Sequence, residues 1–197
     1  MSETWPAIPA LKLITPAAPI ASFGEAASHL RIDDESERVL VEGYVEAATQ
    51  HLDAQYGILA GGTLGVQTWE LYLDAFPAGP ILIPLSPLVD VVSVSYVDPA
   101  GFGQTVDPLN YAVDDKSRDG WIVPIAGFTW PLTLTAINVV TVRFRAGNAS
   151  IPAPLKQAVL LLTGHLYENR EAASPVVLTE IPIGVYNLVA PYRRIYV

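Results

Sequence analysis

The stretch "GHLYENREAA", residues 164–173, contains two side chains whose types and spacing could support chemistry. His165 and Glu168 stand three positions apart, which places them on one face of a helix. An imidazole and a carboxylate so placed could hold a metal ion or share a proton. A metal-dependent hydrolase that uses these two residues is therefore one function to consider.

A metal centre in this stretch would need further ligands, because zinc sites use three or four protein side chains. The other histidines of the chain are His29 and His51, and neither has a ligand spacing of its own. The simpler interpretation is that His165 packs beneath its helix. The charged residues that follow it would then form surface or interface ion pairs at a hinge, and these residues are Glu168, Arg170 and Glu171.

No other motif predicts an active site. The stretch "DDKSRDG", residues 114–120, has aspartates but lacks the ordered acids and the closing glutamate of a calcium loop. The sequence contains no G-x-S-x-G nucleophile motif and no phosphate-binding glycine loop. We therefore expect a protein that is not an enzyme, with no catalytic residue, no cofactor and no metal.

The net charge argues against one class of function. The chain carries 20 acidic and 11 basic residues, for a formal charge of −9. A protein that binds nucleic acid tightly needs the opposite balance, since phosphate contacts come from Lys and Arg. A surface that DNA passes without sticking is compatible with this charge, because like charges repel. The absence of cysteine from the sequence excludes disulfides and thiolate catalysis.

One uncharged stretch is long enough to be tested as a membrane span. No charged residue lies between Asp119 and Arg143. The stretch contains Pro124, Gly127 and Pro131, which are typical of strands and turns and not of a spanning helix. We expect no membrane segment here.

Two helices are predicted in the first third of the chain. "SFGEAASHL" pairs Ser22 with Glu25 three residues later, a capping box that begins a helix ending near Leu30. A second helix is predicted from about Glu35 to Tyr56. Apolar residues recur along it at the spacing of one buried face, which consists of Val41, Tyr44, Val45, Ala48, Leu52 and Tyr56.

The pattern changes to strands and then back to a helix. Residues 64–147 alternate with period two and are rich in β-branched residues, which predicts about six short strands. Strands so spaced are typical of a small sandwich or barrel. A third helix, apolar on most sides and hence largely buried, is predicted to begin near Pro154.

These patterns predict an α+β fold: a small α-helical bundle with an inserted antiparallel β domain, a small sandwich or barrel, and extended terminal arms. The predicted bundle core consists of residues 22–62 and 152–173, and the β-rich insertion of residues 63–151. The predicted arms are residues 1–21 and 174–197.

Two parts of this fold could bind a partner. The β insertion carries Trp69, Trp121 and Trp130, and a groove that exposed them would make the protein a ligand-binding module, for a glycan for example. The C-terminal arm is rich in apolar and aromatic residues, which would either pack back on the bundle or dock into a neighbouring subunit. Composition alone leaves both possibilities open.

A series of short motifs follows the chain in a recognisable order. The motifs are "LKLITPAAP", "AASHLRID", "QTWELYLDAFP", "ILIPLSPLVDVVSVSYVDPAG", "YAVD", "TWP", "VTVRFRAG", "IPAPLKQAVLLLTGHLYENREA" and "PIGVYNLVAPYR". Together they resemble the head–tail connector proteins, also called adaptor or head-completion proteins, of tailed bacteriophages. The likeness extends from about Leu13 to Arg194. The first ten residues, which include Trp5, are not part of the pattern, and Leu166 stands where the family often has an aromatic residue.

The resemblance implies a structural virion protein at the head–tail interface, present in the host cytoplasm during assembly. It would form a ring, expected to be twelve-fold, beneath the portal protein. The ring would extend the DNA channel without binding DNA specifically and would offer a platform to a stopper or tail-completion protein.

The resemblance also favours docking of the C-terminal arm into the portal or a neighbouring subunit. Truncation after Ser174 would then leave a folded monomer that cannot bind the portal. The hinge before the arm would contain Glu168, Arg170 and Glu171. The expected interface residues are Tyr186, Leu188, Pro191, Tyr192, Arg193, Arg194 and Tyr196.

Overall fold

The computed structural model describes residues 10–54, 56–169 and 182–193, and the chain divides into two compact units. The β unit contains the described residues up to Pro16 together with Gln67–Gly147. The helical unit contains the described residues of 17–66 and those from Asn148 onward. The described chain therefore starts in the β unit, enters the helical unit, builds most of the β unit and then returns to the helices.

The helical unit contains four helices among its described residues. They are α1 (Phe23–Leu30), α2 (Arg38–Leu52), α3 (Ala153–Glu168) and α4 (Ile183–Val189). The capping box predicted at the start of α1 is present, because the Ser22 hydroxyl accepts from the Glu25 backbone N–H and the Glu25 carboxylate accepts from the Ser22 N–H.

One apolar core holds the four helices together. Each helix contributes the residues of a single stripe, as amphipathic helices do. Residues of the α2–β2 connection close the core at one end. The buried members of the core are Ile20, Ala21, Ala26, Val41, Val45, Ala48, Leu52, Leu59, Leu64, Leu155, Ala158, Val159, Leu162, Val185 and Val189.

The second helix is shorter than its apolar pattern predicts. A short 3-10 helix precedes it at Glu35–Glu37, and α2 ends at Leu52. Asp53 leaves the helical conformation, and its carboxylate accepts a hydrogen bond of 2.8 Å from the Leu64 N–H, which turns the chain back. Tyr56 therefore lies beyond the helix with 95% of its surface exposed, and its predicted place on the buried face is wrong.

The described residues of the β unit form eight antiparallel strands in two sheets. The strands are β1 (Ala10–Thr15), β2 (Gln67–Leu73), β3 (Ile81–Ile83), β4 (Leu88–Val97), β5 (Gly103–Thr105), β6 (Tyr111–Asp114), β7 (Gly120–Pro124) and β8 (Val140–Ala146). The larger sheet has the order β1-β2-β8-β4-β5, and the smaller sheet has the order β3-β7-β6. The prediction of a mixed α+β fold with an antiparallel β region is confirmed.

Apolar and polar residues alternate along strand β8 because its two faces meet different surroundings. One face of the strand is fully buried and carries Val140, Val142 and Phe144. The alternate positions Arg143 and Arg145 point to the polar face. The two sheets meet closely at Gly120, where a Cβ atom would lie 2.6 Å from Cδ2 of Leu88. Glycine is required there by the approach of the sheets.

The polar face of the larger sheet is organised around Glu70. The Arg143 Nε donates to Glu70 at 3.0 Å, and the Tyr72 hydroxyl donates to the same carboxylate. These hydrogen bonds, that of Tyr72 first, hold the pKa of Glu70 below its usual range. Arg145 pairs with Asp90 on the next strand, so the cross-strand pairs of this face are matched in charge.

Both predicted arms contain regular structure. Within residues 1–21, β1 forms an edge strand of the larger sheet, with Ala10 opposite Tyr72. Within residues 174–197, α4 packs on the helical core. The alternation in β1 is masked because most of the strand is exposed on both faces, as edge strands can be.

In the part of the chain that the structure describes, no helix is long and apolar enough to cross a membrane.

We expect the burial of α4 to be measurable as stability. Val189 is fully buried, and truncation to alanine removes two methyl groups and leaves a cavity, which should lower the free energy of unfolding by about 2 kcal/mol. Val39→Ala on α2 is the matched control, since Val39 is 81% exposed and its loss should change stability by less than about 0.5 kcal/mol. Urea unfolding followed by circular dichroism measures both. Equal effects of the two substitutions would contradict the packing described for α4.

Candidate interface at the C-terminal helix

The C-terminal helix has one buried and one exposed face. Val185 and Val189 are fully buried against the helical core, and Leu188 is half-buried beside them. Ile183 and Tyr186 lie on the other face, with 79% and 42% of their surfaces exposed. The sequence pattern of an apolar arm therefore contains two sets of residues, one that anchors the helix and one that a partner could cover.

The chain after α4 is fixed to the loop that follows α2. A 3-10 helix, Ala190–Tyr192, continues α4, and the Arg193 Nε donates to the Ile58 carbonyl oxygen at 2.9 Å. The Tyr192 carbonyl oxygen would lie 3.3 Å from a Cβ atom at Gly62. A glycine at this position lets the backbone after α4 approach the loop closely.

Arg193 and Tyr186 form a small cationic and aromatic surface. The guanidinium carbon of Arg193 lies 6.0 Å from the centre of the Tyr186 ring, at the outer limit of a cation–π contact. Both side chains are exposed, and Tyr192, at the end of the 3-10 helix, is 38% exposed. We call Ile183, Tyr186, Tyr192 and Arg193 the α4 surface. Tyr and Arg are the residue types that most often carry binding energy in protein interfaces.

The predicted interface and hinge residues fall into three groups. The first group is exposed and consists of Tyr186, Pro191, Tyr192, Arg193 and, at the end of α3, Glu168. The second group is Leu188 alone, which is half-buried in the helical unit. The third group lies outside the described residues and consists of Arg170, Glu171, Arg194 and Tyr196. In the sequence, only the spacing of four residues between Val185 and Val189 separates these two valines from their exposed neighbours.

His165 and Glu168, the pair whose side chains could support chemistry, lie in the last turn of α3. Asn169 closes the helix by donating its side-chain amide to the His165 carbonyl oxygen at 2.7 Å. His165 is half-buried and Glu168 is exposed. Among the described residues, no group of three or more histidine, aspartate or glutamate side chains is arranged to hold a metal ion. The geometry thus gives no support to a metal-dependent hydrolase.

The three tryptophans among the described residues, Trp69, Trp121 and Trp130, are all half-buried. Trp69 donates its indole N–H to Gln67, and Trp130 donates its own to the Gly79 carbonyl oxygen at 2.9 Å. Trp130 lines a groove whose walls contain threonine hydroxyls but no charged side chain. Sugar recognition relies on several placed polar groups, so this groove does not favour a glycan-binding module.

A shallow hollow of about 600 Å³ lies between α1 and α3. Its charged pair is Glu25 and Lys156, which are joined by an ion pair across the two helices. The hydrogen bond from Lys156, followed by those from Ser22, lowers the pKa of Glu25 from 4.5 to about 2. Both charges in the hollow are therefore already matched within the protein, and the arrangement fastens α1 to α3.

The comparisons with known proteins point to one class of particle. Residues 133–193 match the family described as phage gp6-like head-tail connector protein. This segment holds β8, α3 and α4, and the resemblance inferred from the motifs is confirmed over it. No curated protein sequence matches the chain significantly.

The fold is shared with solved proteins of gene transfer agent particles. A chain in the neck of an empty gene transfer agent particle, computed with C6 symmetry, is 24% identical, with a TM-score of 0.75 over 95% of this chain and 97% of that one. A chain in the virion of the native particle is 24% identical, with a TM-score of 0.77 over 95% and 96% of the two chains. A chain in the native neck, computed with C12 symmetry, is 23% identical, with a TM-score of 0.72 over 95% and 97%.

We expect the ion pair of the hollow to make stability depend on pH. Because the pKa of Glu25 is lower in the folded protein, its contribution is fully present above pH 4.5 and is lost as the pH falls towards about 2. Glu25→Gln keeps the capping hydrogen bonds and removes the charge, so its urea midpoint should lie below that of the wild type at neutral pH and approach it in acid. In a Lys156→Met background the pH-dependent effect of the same substitution should be smaller, because only the hydrogen bonds from Ser22 then lower the pKa of Glu25. A constant difference across the whole range would contradict the role of the ion pair.

Proposed function

We propose that this protein is a structural head–tail connector, a virion protein with no catalytic role that forms a ring beneath a portal. The observation that carries the proposal is the likeness of fold, which covers 95% of this chain and 97% of a chain from a gene transfer agent neck. The match of residues 133–193 to the connector family supports it independently, because it rests on sequence. The protein would belong to the neck of a virion and would be present in the host cytoplasm during assembly.

A ring requires each subunit to present two different surfaces that fit each other, since a cyclic assembly of more than two copies is joined head to tail. The neck structures with the same fold were computed with C6 and C12 symmetry. We infer a twelve-fold ring for this protein, which would match a twelve-fold portal subunit for subunit. A stopper or tail-completion protein would bind the face of the ring away from the portal.

The charge of the chain suits a channel for DNA. Its formal charge is −9, and exposed acids lie in and before the 3-10 helix that precedes α2, among them Asp33, Asp34 and Glu35. A ring multiplies this charge by the number of its subunits. DNA carries one negative charge for about every 1.7 Å of its axis, so an acidic lining would repel it and allow passage without adhesion.

The α4 surface is the part of the described structure that we propose to contact the portal or a neighbouring subunit. Its aromatic and apolar side chains are exposed although the opposite face of the same helix is buried. Arg194 and Tyr196, which follow it in the sequence, would extend this contact, and Leu188 and Pro191 would support it. The helix itself is part of the folded core, so its buried valines are needed for stability and not for docking.

The burial of α4 bears on the expectation that truncation after Ser174 leaves a folded monomer. Removal of the chain after Ser174 would expose the core residues that Val185 and Val189 cover, so a destabilised protein is expected and loss of binding would be uninformative. Substitutions on the exposed face test docking without this ambiguity.

We expect Tyr186→Ala to weaken binding to the portal at least about tenfold, because an exposed tyrosine beside an arginine is a typical interface anchor. Tyr56→Ala is the matched control, since Tyr56 is in the same unit and is 95% exposed. Titration of each variant against purified portal rings by biolayer interferometry measures the change, and thermal unfolding confirms that both variants are folded.

Two outcomes of this titration distinguish an error in the docking surface from an error in the proposed function. Normal binding of Tyr186→Ala would show that the α4 surface is not the contact, while leaving the connector role in place. Failure of the wild-type protein to bind the portal at all would count against the connector role itself.

A further inference from the structure

The outward face of α2 carries apolar side chains that the described structure leaves exposed. Val39 and Leu40 are neighbours there, with 81% and 41% of their surfaces exposed. Gly43 and Ala47 continue the face from Val39 at intervals of four residues and are exposed too. We call Val39, Leu40, Gly43, Glu46 and Ala47 the α2 surface. An exposed apolar strip on a helix whose other face is in the core is typical of a surface that a partner covers.

The shape of the α2 surface suits a second helix. A Cβ atom added at Gly43 would meet nothing within 4 Å, so there is open space between Val39 and Ala47. Helices pack by placing the large side chains of one into such spaces on the other. The α2 surface extends over about 12 Å from Val39 to Ala47, and the seven residues of α4 rise by about 10 Å. Ile183, exposed on α4, is an apolar side chain that could fill the space at Gly43.

The α2 and α4 surfaces carry opposite charges. On α2, Glu42 and Glu46 are exposed along one side of the apolar strip. Arg38 pairs with Glu42 at 3.4 Å, whereas Glu46 accepts a hydrogen bond of 3.1 Å from the neutral Gln50 and has no ion-pair partner among the described residues. On the α4 surface, Arg193 supplies an exposed positive charge. Charge therefore favours a contact of an α2 surface with an α4 surface over a contact between two α2 surfaces.

The two surfaces lie on different sides of the helical unit. Both α2 and α4 pack against α3, and they make little contact with each other. Because each helix turns its inner face to the shared core, their exposed faces do not meet within one chain. A closed ring of more than two copies requires such an arrangement, since each copy presents one surface to the copy before it and a different surface to the copy after it.

We propose that the α2 surface is the docking site for the α4 surface of a second copy of this chain, in a head-to-tail contact that repeats around a ring. Ile183 and Tyr186 would cover the apolar strip, and Arg193 would lie beside Glu46. The inference rests on the proposed connector role, for which it names the partner of the α4 surface. A ring held by this contact would bind the portal as one body, so loss of the contact would also weaken portal binding through lost avidity.

Disulfide exchange between two full-length variants tests the proposal, because the chain has no cysteine of its own. Ala47→Cys places a thiol on the α2 surface, and Asn187→Cys places one on α4 a turn after Ile183. The variants are mixed in equal amounts in a glutathione buffer, alone and with purified portal rings. Intact mass spectrometry without reduction separates the mixed disulfide from the disulfide that each variant forms with itself. The mixed disulfide should exceed the two self-disulfides together by about tenfold.

Gln157→Cys is the matched control for Ala47→Cys, since Gln157 is exposed on α3 and belongs to neither surface. Mixed with Asn187→Cys, it should give the mixed disulfide and the two self-disulfides in the equal amounts that random collision produces.

A charge reversal tests the pairing of Glu46 with Arg193. Glu46→Lys in the Ala47→Cys protein should lower the amount of mixed disulfide about threefold, and Arg193→Glu in the Asn187→Cys protein should restore it. Glu168→Lys should leave the amount unchanged, because Glu168 is exposed but lies on neither surface. Equal effects of Glu46→Lys and Glu168→Lys would contradict the pairing.

The result with portal rings distinguishes this contact from the connector role. Mixed and self-disulfides in equal amounts, both alone and with portal rings, would overturn the proposed contact, and normal binding to the portal would then leave the connector role in place. An excess of mixed disulfide without any binding to the portal would support the contact between copies and count against the connector role.

Discussion

The burial of Val185 and Val189 is the contact on which the helical unit depends. These two residues complete a core whose other members come from α1, α2, α3 and the connection after α2. Without them, the buried stripe of α3 would face solvent along one side. A helix of seven residues is too short to be stable alone, so α4 exists because the core holds it. Its remaining face is thereby presented in a fixed orientation.

This constraint would suit the short C-terminal helix to the interface role that we propose for it. Side chains on a packed helix lose less conformational freedom on binding than side chains on an unstructured arm. Tyr186 and Arg193 are held beside each other by the turn of α4 and by the hydrogen bond from Arg193 to Ile58. The family match over residues 133–193 includes this helix. A docking surface on α4 agrees with a connector, whereas a metal site at His165 and Glu168 has no further ligands among the described residues.

Strong local patterns were enough to predict much of the fold. The capping box at Ser22, the stripe of α2 from Val41 to Leu52 and the alternation of β8 all appear as the sequence indicates. In each case one face is buried along the whole element, so the period of the pattern is clear. Tyr56 was assigned wrongly because its spacing continues the stripe, while the helix ends at Asp53 for a reason that lies eleven residues away, in the contact with Leu64. Strand β1 has little alternation to detect, because it is exposed on both faces.

The candidate site was harder to predict than the fold. The sequence identified an apolar C-terminal region but could not divide it into anchoring and exposed residues, since that division follows from which face of α4 meets α3. The groove beside Trp130 could not be predicted either, because Phe76, which stacks on Trp130 in its lining, is far from it in the sequence, and the two rings meet only in the folded β unit. Tertiary packing determines both features, and local sequence carries no direct signal of it.

The measurement that tests the connector role most directly is the mass, by light scattering, of the purified protein mixed with purified portal rings and separated by size. The account predicts a complex whose mass equals one portal ring plus one ring of this protein, with equal numbers of subunits. Separate elution of the portal and of an unassociated protein, at every ratio of the two, would contradict it.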